Sequence, residues 1–234
     1  MNSDKRGYMI PKTIHYIWIG NEMPSLNKEC ISTWEQNAPG FDIQFWDLNK
    51  IQRELMPAPF FYEMLKKKKY AFAVDYIRCK ILYEYGGIYL DSDIELIKDI
   101  SILCENEAFV GLEKIGRASC GIIGAKKGFD TMLHLMNEVV KAKGLVEMPV
   151  LLTKVLGEHD FSLGNEIQFI GKMTIYPVHY FYPYNPYGGN DVDQLMYKDV
   201  KEDTYAIHHW AKNWNLSFIE LVVRRLKRIF KFTH

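Results

Sequence analysis

The stretch AFAVDYIRCKILYEYGGIYLDSD, residues 71–93, decides the fold of this chain. Phe72, Tyr76, Cys79 and Tyr83 recur at helical spacing, and Asp75, Arg78, Leu82 and Tyr85 form a second row on the same cylinder. Asp75 and Arg78, three apart, are therefore neighbours on a helix that runs to Tyr85. Gly86 and Gly87 fit its stop, because glycine enters left-handed backbone without steric cost and lets the chain turn directly into a short strand, Ile88, Tyr89 and Leu90. Asp91, Ser92 and Asp93 follow in what reads as an exposed loop. In an open α/β sheet, ligands gather outside the carboxyl ends of the strands, so this is where a nucleotide site is expected.

Two acids separated by one residue suit a hard divalent cation. Magnesium and manganese accept a few carboxylate oxygens, retain some water and take their other ligands from substrate phosphates. Arg78 offers a rigid fork of donors for sugar or phosphate oxygens, and Asp75 can orient that fork while accepting from a hydroxyl. Upstream, Trp18 supplies a flat face suited to stacking on a base. Downstream, Ile207 and its apolar neighbours lead into His208 and His209, and strand alternation sends the two imidazoles to opposite faces, so one of them can complete a carboxylate metal site. Spacing relative to Trp214 favours His209 over His208.

These pieces together carry a resemblance. AVDYIR at residues 73–78, YGGIYLDSD at 85–93, IPKTIHYIWIG at 10–20 and IHHWAKNW at 207–214 are similar to the ordered motifs of the DXD glycosyltransferases with a sugar-binding region. That group includes capsule and O-antigen transferases, fungal outer-chain mannosyltransferases and the catalytic domains of large glucosylating toxins. The resemblance implies an α/β fold of the GT-A type, a Rossmann-like domain that binds a nucleotide sugar, usually with manganese (magnesium being the alternative), and transfers the sugar with retained configuration. UDP-sugars are the donors that family tendency favours. By the same resemblance, Asp93 would bind the metal directly, with His209 or His208, and Asp91 would bind it or the ribose. Asp75 and Arg78 would hold the donor sugar near Tyr89 and Ser92, and Ile17 and Trp18 would lie at the nucleobase. Asn213 and Trp214 would lie near the diphosphate, although many relatives carry Ser where Asn213 stands. RASCGIIG at residues 117–124 resembles the family's Gly-bearing strand but lacks an Asn often found there, which leaves the residue facing the anomeric carbon unassigned.

Composition bounds the alternatives. With 234 residues, 48% of them hydrophobic, the chain can bury one sizeable core, read as a catalytic domain over residues 1–214. A net charge of +0 gives no global attraction to nucleic acid, and no Gly-rich loop ending in Lys-Ser or Lys-Thr suggests a phosphotransferase. Four widely spaced cysteines form no CxxC pair, the start Met-Asn-Ser-Asp-Lys-Arg is unlike a secretory leader, and no run of about eighteen apolar residues occurs. A cytoplasmic protein is expected. YPYNPYGG at residues 182–189 reads as a surface loop.

Residues 215–234 read differently. SFIE at 217–220 has the form of a capping box, after which Phe218, Leu221, Val222, Leu226, Ile229 and Phe230 share one helical arc and Arg224, Lys227, Arg228 and Lys231 the other. Such a basic amphipathic helix fits an anchor on an anionic membrane surface at the inner face of the cytoplasmic membrane, with about 1 kcal/mol per basic residue. The lysine run 66–69 extends the basic surface. The expected acceptor is then a glycan, carried on polyprenyl diphosphate, in capsule or O-antigen synthesis. The rivals are a toxin-like enzyme that modifies a protein side chain and a non-catalytic nucleotide-sugar sensor or membrane-associated assembly protein.

Overall fold

The computed structural model describes residues 9–20, 22–157, 166–186 and 195–211. The expected terminal helix, Asn213 and Trp214 lie outside these residues. Strand β1 (Thr13–Ile17) leads through helix α1 (Ser25–Asn37) to β2 (Asp42–Trp46), which runs parallel to it. Helices α2 (Leu48–Leu55), α3 (Pro59–Lys66) and α4 (Tyr70–Tyr85) then carry the chain back to β3 (Gly87–Leu90), parallel to β1 on its other side. After β4 (Ile94–Leu96) come β5 (Ala108–Lys114), β6 (Arg117–Ala125), α5 (Asp130–Lys141), α6 (Met148–Val155), the hairpin of β7 (Gln168–Ile170) and β8 (Met173–Tyr176), α7 (Val178–Phe181) and β9 (Ala206–His208). The main sheet has the order β2-β1-β3-β6-β5-β8-β7, and β4 pairs with β9 in a small second sheet.

Seven mixed strands with helices on both faces make an α/β domain. Strand β6 lies antiparallel to both β3 and β5, whereas β8 is parallel to β5. Alternation along β3 divides the core in two: Tyr89 faces the helical layer containing α4, α5 and α6, while Ile88 and Leu90 face the layer containing Trp34 of α1. Because β1, β2 and β3 are parallel, the residues after each of them emerge on one edge of the sheet.

The helix expected over residues 71–85 forms one residue earlier, at Tyr70, and ends as expected. Gly86 has φ 72 and ψ −167, backbone that only glycine adopts readily, and Gly87 has φ 105. Space enforces both glycines as well. A Cβ on Gly86 would stand 2.6 Å from the Lys127 backbone nitrogen, and one on Gly87 would stand 2.7 Å from the Thr13 carbonyl and 2.8 Å from His15 Nε2.

His15 locks this turn to β2. Its Nε2 lies 2.9 Å from the Gly86 carbonyl and its Nδ1 accepts from the Trp46 indole at 3.1 Å, which fixes a neutral ring with the proton on Nε2. Burial, with no acceptor for a second proton, pushes its pKa down to about 4. In the unfolded chain the ring titrates near its ordinary value of 6.5, so as pH falls from 6.5 to 4 only the unfolded state gains the proton. About 3 kcal/mol of stability is lost over that window and fully retained above it. His15→Gln keeps both a donor and an acceptor but does not titrate. Urea unfolding of the two proteins should therefore show the free-energy difference shifting in favour of His15→Gln by ~3 kcal/mol between pH 6.5 and 4.

Candidate active site at the end of the third strand

Arg78 organises the site. It projects from α4 across the end of β3, donating from one terminal nitrogen to Asp91 Oδ1 at 2.9 Å and from the other to the Cys120 carbonyl of β6 at 2.6 Å. The guanidinium lies 4.3 Å from the centre of the Tyr89 ring, and the Tyr89 hydroxyl donates to the same Asp91 oxygen at 3.2 Å. Asp75, one helical turn back, is 3.6 Å from Arg78. Arg78 Nε is buried with no hydrogen-bond partner among the described residues. Asp75 and Arg78 are neighbours on α4, as their spacing predicts, and Tyr89 and Asp91 join them in one constellation.

Asp93 departs from expectation. Read as an exposed loop carboxylate, it is only 7% exposed. The turn folds back on itself, with the Ile94 amide bonded to the Asp91 carbonyl, and β9 covers it. The Ala211 amide donates to Asp93 Oδ2 at 2.8 Å and the His209 amide to the Asp93 carbonyl at 3.0 Å. His208 Nε2 lies 3.2 Å from Asp93 Oδ1.

The place beside Asp93 that sequence spacing gave to His209 ahead of His208 therefore belongs to His208. The register of β9 against β4, with His208 opposite Ile94, turns the His208 ring inward. His209 points the other way, its Nε2 2.7 Å from Glu95. Alternation is obeyed; the ruler from Trp214 pointed to the wrong member of the pair.

Asp91, Asp93 and His208 each offer a ligand atom, and these atoms lie within 4.8 Å of one another, the one such group among the described residues. The donor set suits a divalent cation: two carboxylates and an imidazole, with His208 Nδ1 buried and without a partner among the described residues. The electrostatics are those of a tight cluster. Burial raises the pKa of Asp91, against the opposing pull of Arg78. Burial also works against ionised Asp93, but the charge and hydrogen bond of His208 outweigh it and hold that carboxyl below its ordinary value. Burial would lower His208, yet Asp93 and Asp91 raise it. Asp75 is pushed up to about 7 by burial, with Arg78 opposing and Asp91 assisting.

Other members had no sequence signal. The buried Asn27 of α1 donates to Ser92 Oγ at 2.9 Å, so Ser92 fastens the turn to α1. Tyr182, expected in a surface loop, is fully buried, and its hydroxyl accepts from the Ile122 amide at 3.1 Å. A Cβ on Gly121 would meet that hydroxyl at 3.0 Å and Asp91 Oδ2 at 3.3 Å, so the bare backbone there leaves the Asp91 carboxylate its room. Asn185 of the same expected loop is also buried, and residues 187–189 lie outside the described ones.

On the same edge of the sheet, Trp18, Ile19 and Gly20 after β1 and Asp47, Leu48 and Asn49 after β2 line a cleft of about 610 Å³, closed by Leu65 and Tyr70. Trp18, expected at the nucleobase, lines this cleft. Ile17 is not; at 5% exposure it packs in the core beside Trp46, because alternation turns it away from the cleft.

Comparison with known proteins agrees with this geometry. The family model for the glycosyltransferase sugar-binding region containing a DXD motif matches residues 24–110, from α1 into β5. Inositol phosphoceramide mannosyltransferase 3 of Schizosaccharomyces pombe is 28% identical over 137 residues, covering 56% of this chain and 37% of that protein. Subversion of eukaryotic traffic protein A of Legionella pneumophila is 30% identical over 114 residues, covering 36% of this chain and 17% of that one. The chain thus spans well under half the length of these curated relatives. Among solved structures, the PaToxG glycosyltransferase superposes with a TM-score of 0.52 at 19% identity, over 63% of this chain and 68% of that one, a likeness of fold. Residues 24–110, a stretch that contains Asp91 and Asp93, thus match the sugar-binding region of the DXD glycosyltransferases, and the α/β fold is of the GT-A type.

Proposed function

We propose that this chain is a metal-dependent, retaining glycosyltransferase that moves a sugar from a nucleotide sugar, read as a UDP-sugar, to a glycan acceptor carried on a lipid. The convergence of Asp91, Asp93 and His208 beside the Arg78 fork carries the reading. The three side chains would hold Mn2+ or Mg2+, which when bound supplies Lewis-acid stabilisation of a departing diphosphate.

The chain's own residues do the rest. Arg78 is held at two corners by Asp91 and Cys120, and its remaining buried Nε–H is a donor in reserve for a sugar or phosphate oxygen. Asp75, when ionised, keeps Arg78 in place and accepts from a donor-sugar hydroxyl. Trp18 and Tyr70 form the aromatic part of the 610 Å³ cleft for the nucleobase. Donors fixed before reaction stabilise developing charge without reorganising, so they act more strongly on the transition state than on the bound substrate.

The lipid-linked acceptor rests on two supports. Residues 217–234 have the sequence pattern of a basic amphipathic helix, and the fission-yeast relative's name describes transfer of mannose to inositol phosphoceramide. The corresponding role is synthesis of a bacterial surface polysaccharide, capsule or O-antigen, at the inner face of the cytoplasmic membrane. The nearer rival is a toxin-like enzyme that modifies a protein side chain, and the rival of a different class is a nucleotide-sugar sensor.

Release of nucleoside diphosphate from a panel of UDP- and GDP-sugars, with manganese and with chelator, tests the reading. One donor should give chelator-sensitive release. Binding of a donor with no release under any condition would favour the sensor. Asp93→Asn keeps an oxygen for the Ala211 amide while removing the charge. It should lower release by ~100-fold or more and leave the melting temperature within a few degrees. Asp93→Ala is a poorer probe, since it would strand the buried His208 and the Ala211 amide.

Asp75 makes the opposite trade. Because burial raises its folded pKa from 3.8 to about 7, the folded state binds the extra proton between those values, and wild-type stability falls as pH rises through that window. Asp75→Asn removes the penalty, so above pH 7 it should be more stable than wild type by ~1–4 kcal/mol while releasing less nucleotide. Thermal melts and donor release at a pH above and a pH below 7 measure both.

A further inference from the structure

The lysine run 66–69 is not an isolated solvated stretch. It caps α3, and the fold sets against it the loop that ends α5. Lys69 Nζ donates to the Gly144 carbonyl at 2.8 Å, and Gly144 is so close that a Cβ there would meet Met64 Sδ at 2.7 Å and Phe72 Cγ at 3.5 Å. Two chain segments 75 residues apart thereby form one corner.

Its composition is one-sided. Residues 62–70, YEMLKKKKY, hold four lysines and one glutamate, and residues 141–145, KAKGL, add two lysines. Glu63 is neutralised by Lys67 at 2.5 Å and also feels Lys143, which places that lysine on the same surface. Lys66, Lys68 and Lys143 are exposed, and none of them is in an ion pair among the described residues. Apolar side chains stand among the charges: Leu145 is 79% exposed, with Tyr62 and Tyr70 also on the surface.

The backbone holds these charges at some expense. Lys68 has φ 55 and Lys143 φ 51, left-handed positions just past the ends of α3 and α5 where glycine or asparagine costs less. Complementing two helix C-termini accounts for a positive charge at each end. It does not account for a nearly naked leucine projecting between them.

We propose that this corner is a docking surface for an anionic membrane, with Lys66, Lys68 and Lys143 at the headgroups and Leu145 inserted between them. Charge complementarity selects an anionic partner, and the projecting Leu145 with flanking tyrosines selects a bilayer interface over a soluble phosphate polymer, which offers no apolar layer. Leu65 and Tyr70 belong both to this corner and to the lining of the donor cleft, so docking would bring the cleft's lip to the membrane. This surface is distinct from residues 217–234 and does not depend on catalysis.

The test uses the full chain with phosphatidylcholine vesicles, with and without phosphatidylglycerol. The combined variant Lys66→Gln, Lys68→Gln, Lys143→Gln should bind the anionic vesicles ~100-fold more weakly, about fivefold for each lysine. The same loss should appear in a chain whose Arg224, Lys227, Arg228 and Lys231 are also changed to Gln. Leu145→Ser should weaken binding at constant charge, and the emission of Leu145→Trp should shift to the blue on anionic vesicles only. Nucleotide release in solution should be unchanged in all of these, which separates failure of this surface from failure of the catalytic reading. Full vesicle binding by the triple-lysine variant, an unmoved tryptophan emission, or polyphosphate binding as tight as vesicle binding and indifferent to Leu145→Ser would overturn the proposal.

Discussion

The bond between Arg78 and Asp91 is the interaction on which the rest depends. It joins the last turns of α4 to the end of β3, 13 residues apart in sequence and 2.9 Å apart in space. That closure requires a nearly immediate reversal from helix to strand, and Gly86 and Gly87 provide it by using backbone and space that no side chain could share. His15 and Trp46 then tie the reversal to the first two strands. The same turn that starts β3 therefore sets the distance between the guanidinium and the motif carboxylates.

Charge concentrated behind that turn is costly to the fold. Arg78 and His208 are buried and Asp75 and Asp91 partly so, and burial is the largest influence on each. Mutual pairing offsets the penalty only in part: Asp75 remains hard to ionise, and Arg78 Nε and His208 Nδ1 lack partners among the described residues. Groups left under-satisfied in a cluster of opposite charges are characteristic of a site shaped for a ligand, because a structural ion pair would be selected for completeness. The stability lost is spread over a large two-sided core, which can bear it.

What was legible in the sequence follows from the range of each signal. Helix, double-glycine stop, strand and acids all lie within 23 consecutive residues, so local periodicity and turn chemistry suffice to pair Asp75 with Arg78 and to put the acids after the strand, while the resemblance to the DXD glycosyltransferases groups them with Tyr89 and Asp91. The burial of Asp93 is not local. It arises because β9, more than a hundred residues later, pairs with β4 and brings the Ala211 amide and the His208 imidazole to that carboxylate, and the His209 amide to the Asp93 carbonyl. The choice between His208 and His209 fails for the same reason, since alternation shows that they diverge and only the register with β4 shows which one turns inward. Tyr182 was hidden by its neighbours; prolines and a tyrosine-rich composition imply a loop, and nothing local reveals that a hydroxyl in that loop completes the hydrogen bonding of β6.

Asp93 is also where the two halves of the site meet. Its side chain belongs to the ligand cluster, while its carbonyl and carboxylate accept from the amides of His209 and Ala211, the last described residues of the chain. Between those two amides, Trp210 takes φ 55, an uncommon conformation for a bulky residue, and is held there by its indole bond to the Tyr184 carbonyl and by the His208 ring 4.2 Å away. The strain is local, and it places the two donors that flank Trp210 on one residue. A change in charge at Asp93 would therefore alter both the imidazole beside it and the hold on the Ala211 amide. The charge of the cluster and the placement of residues 209–211 are thus coupled through one carboxylate.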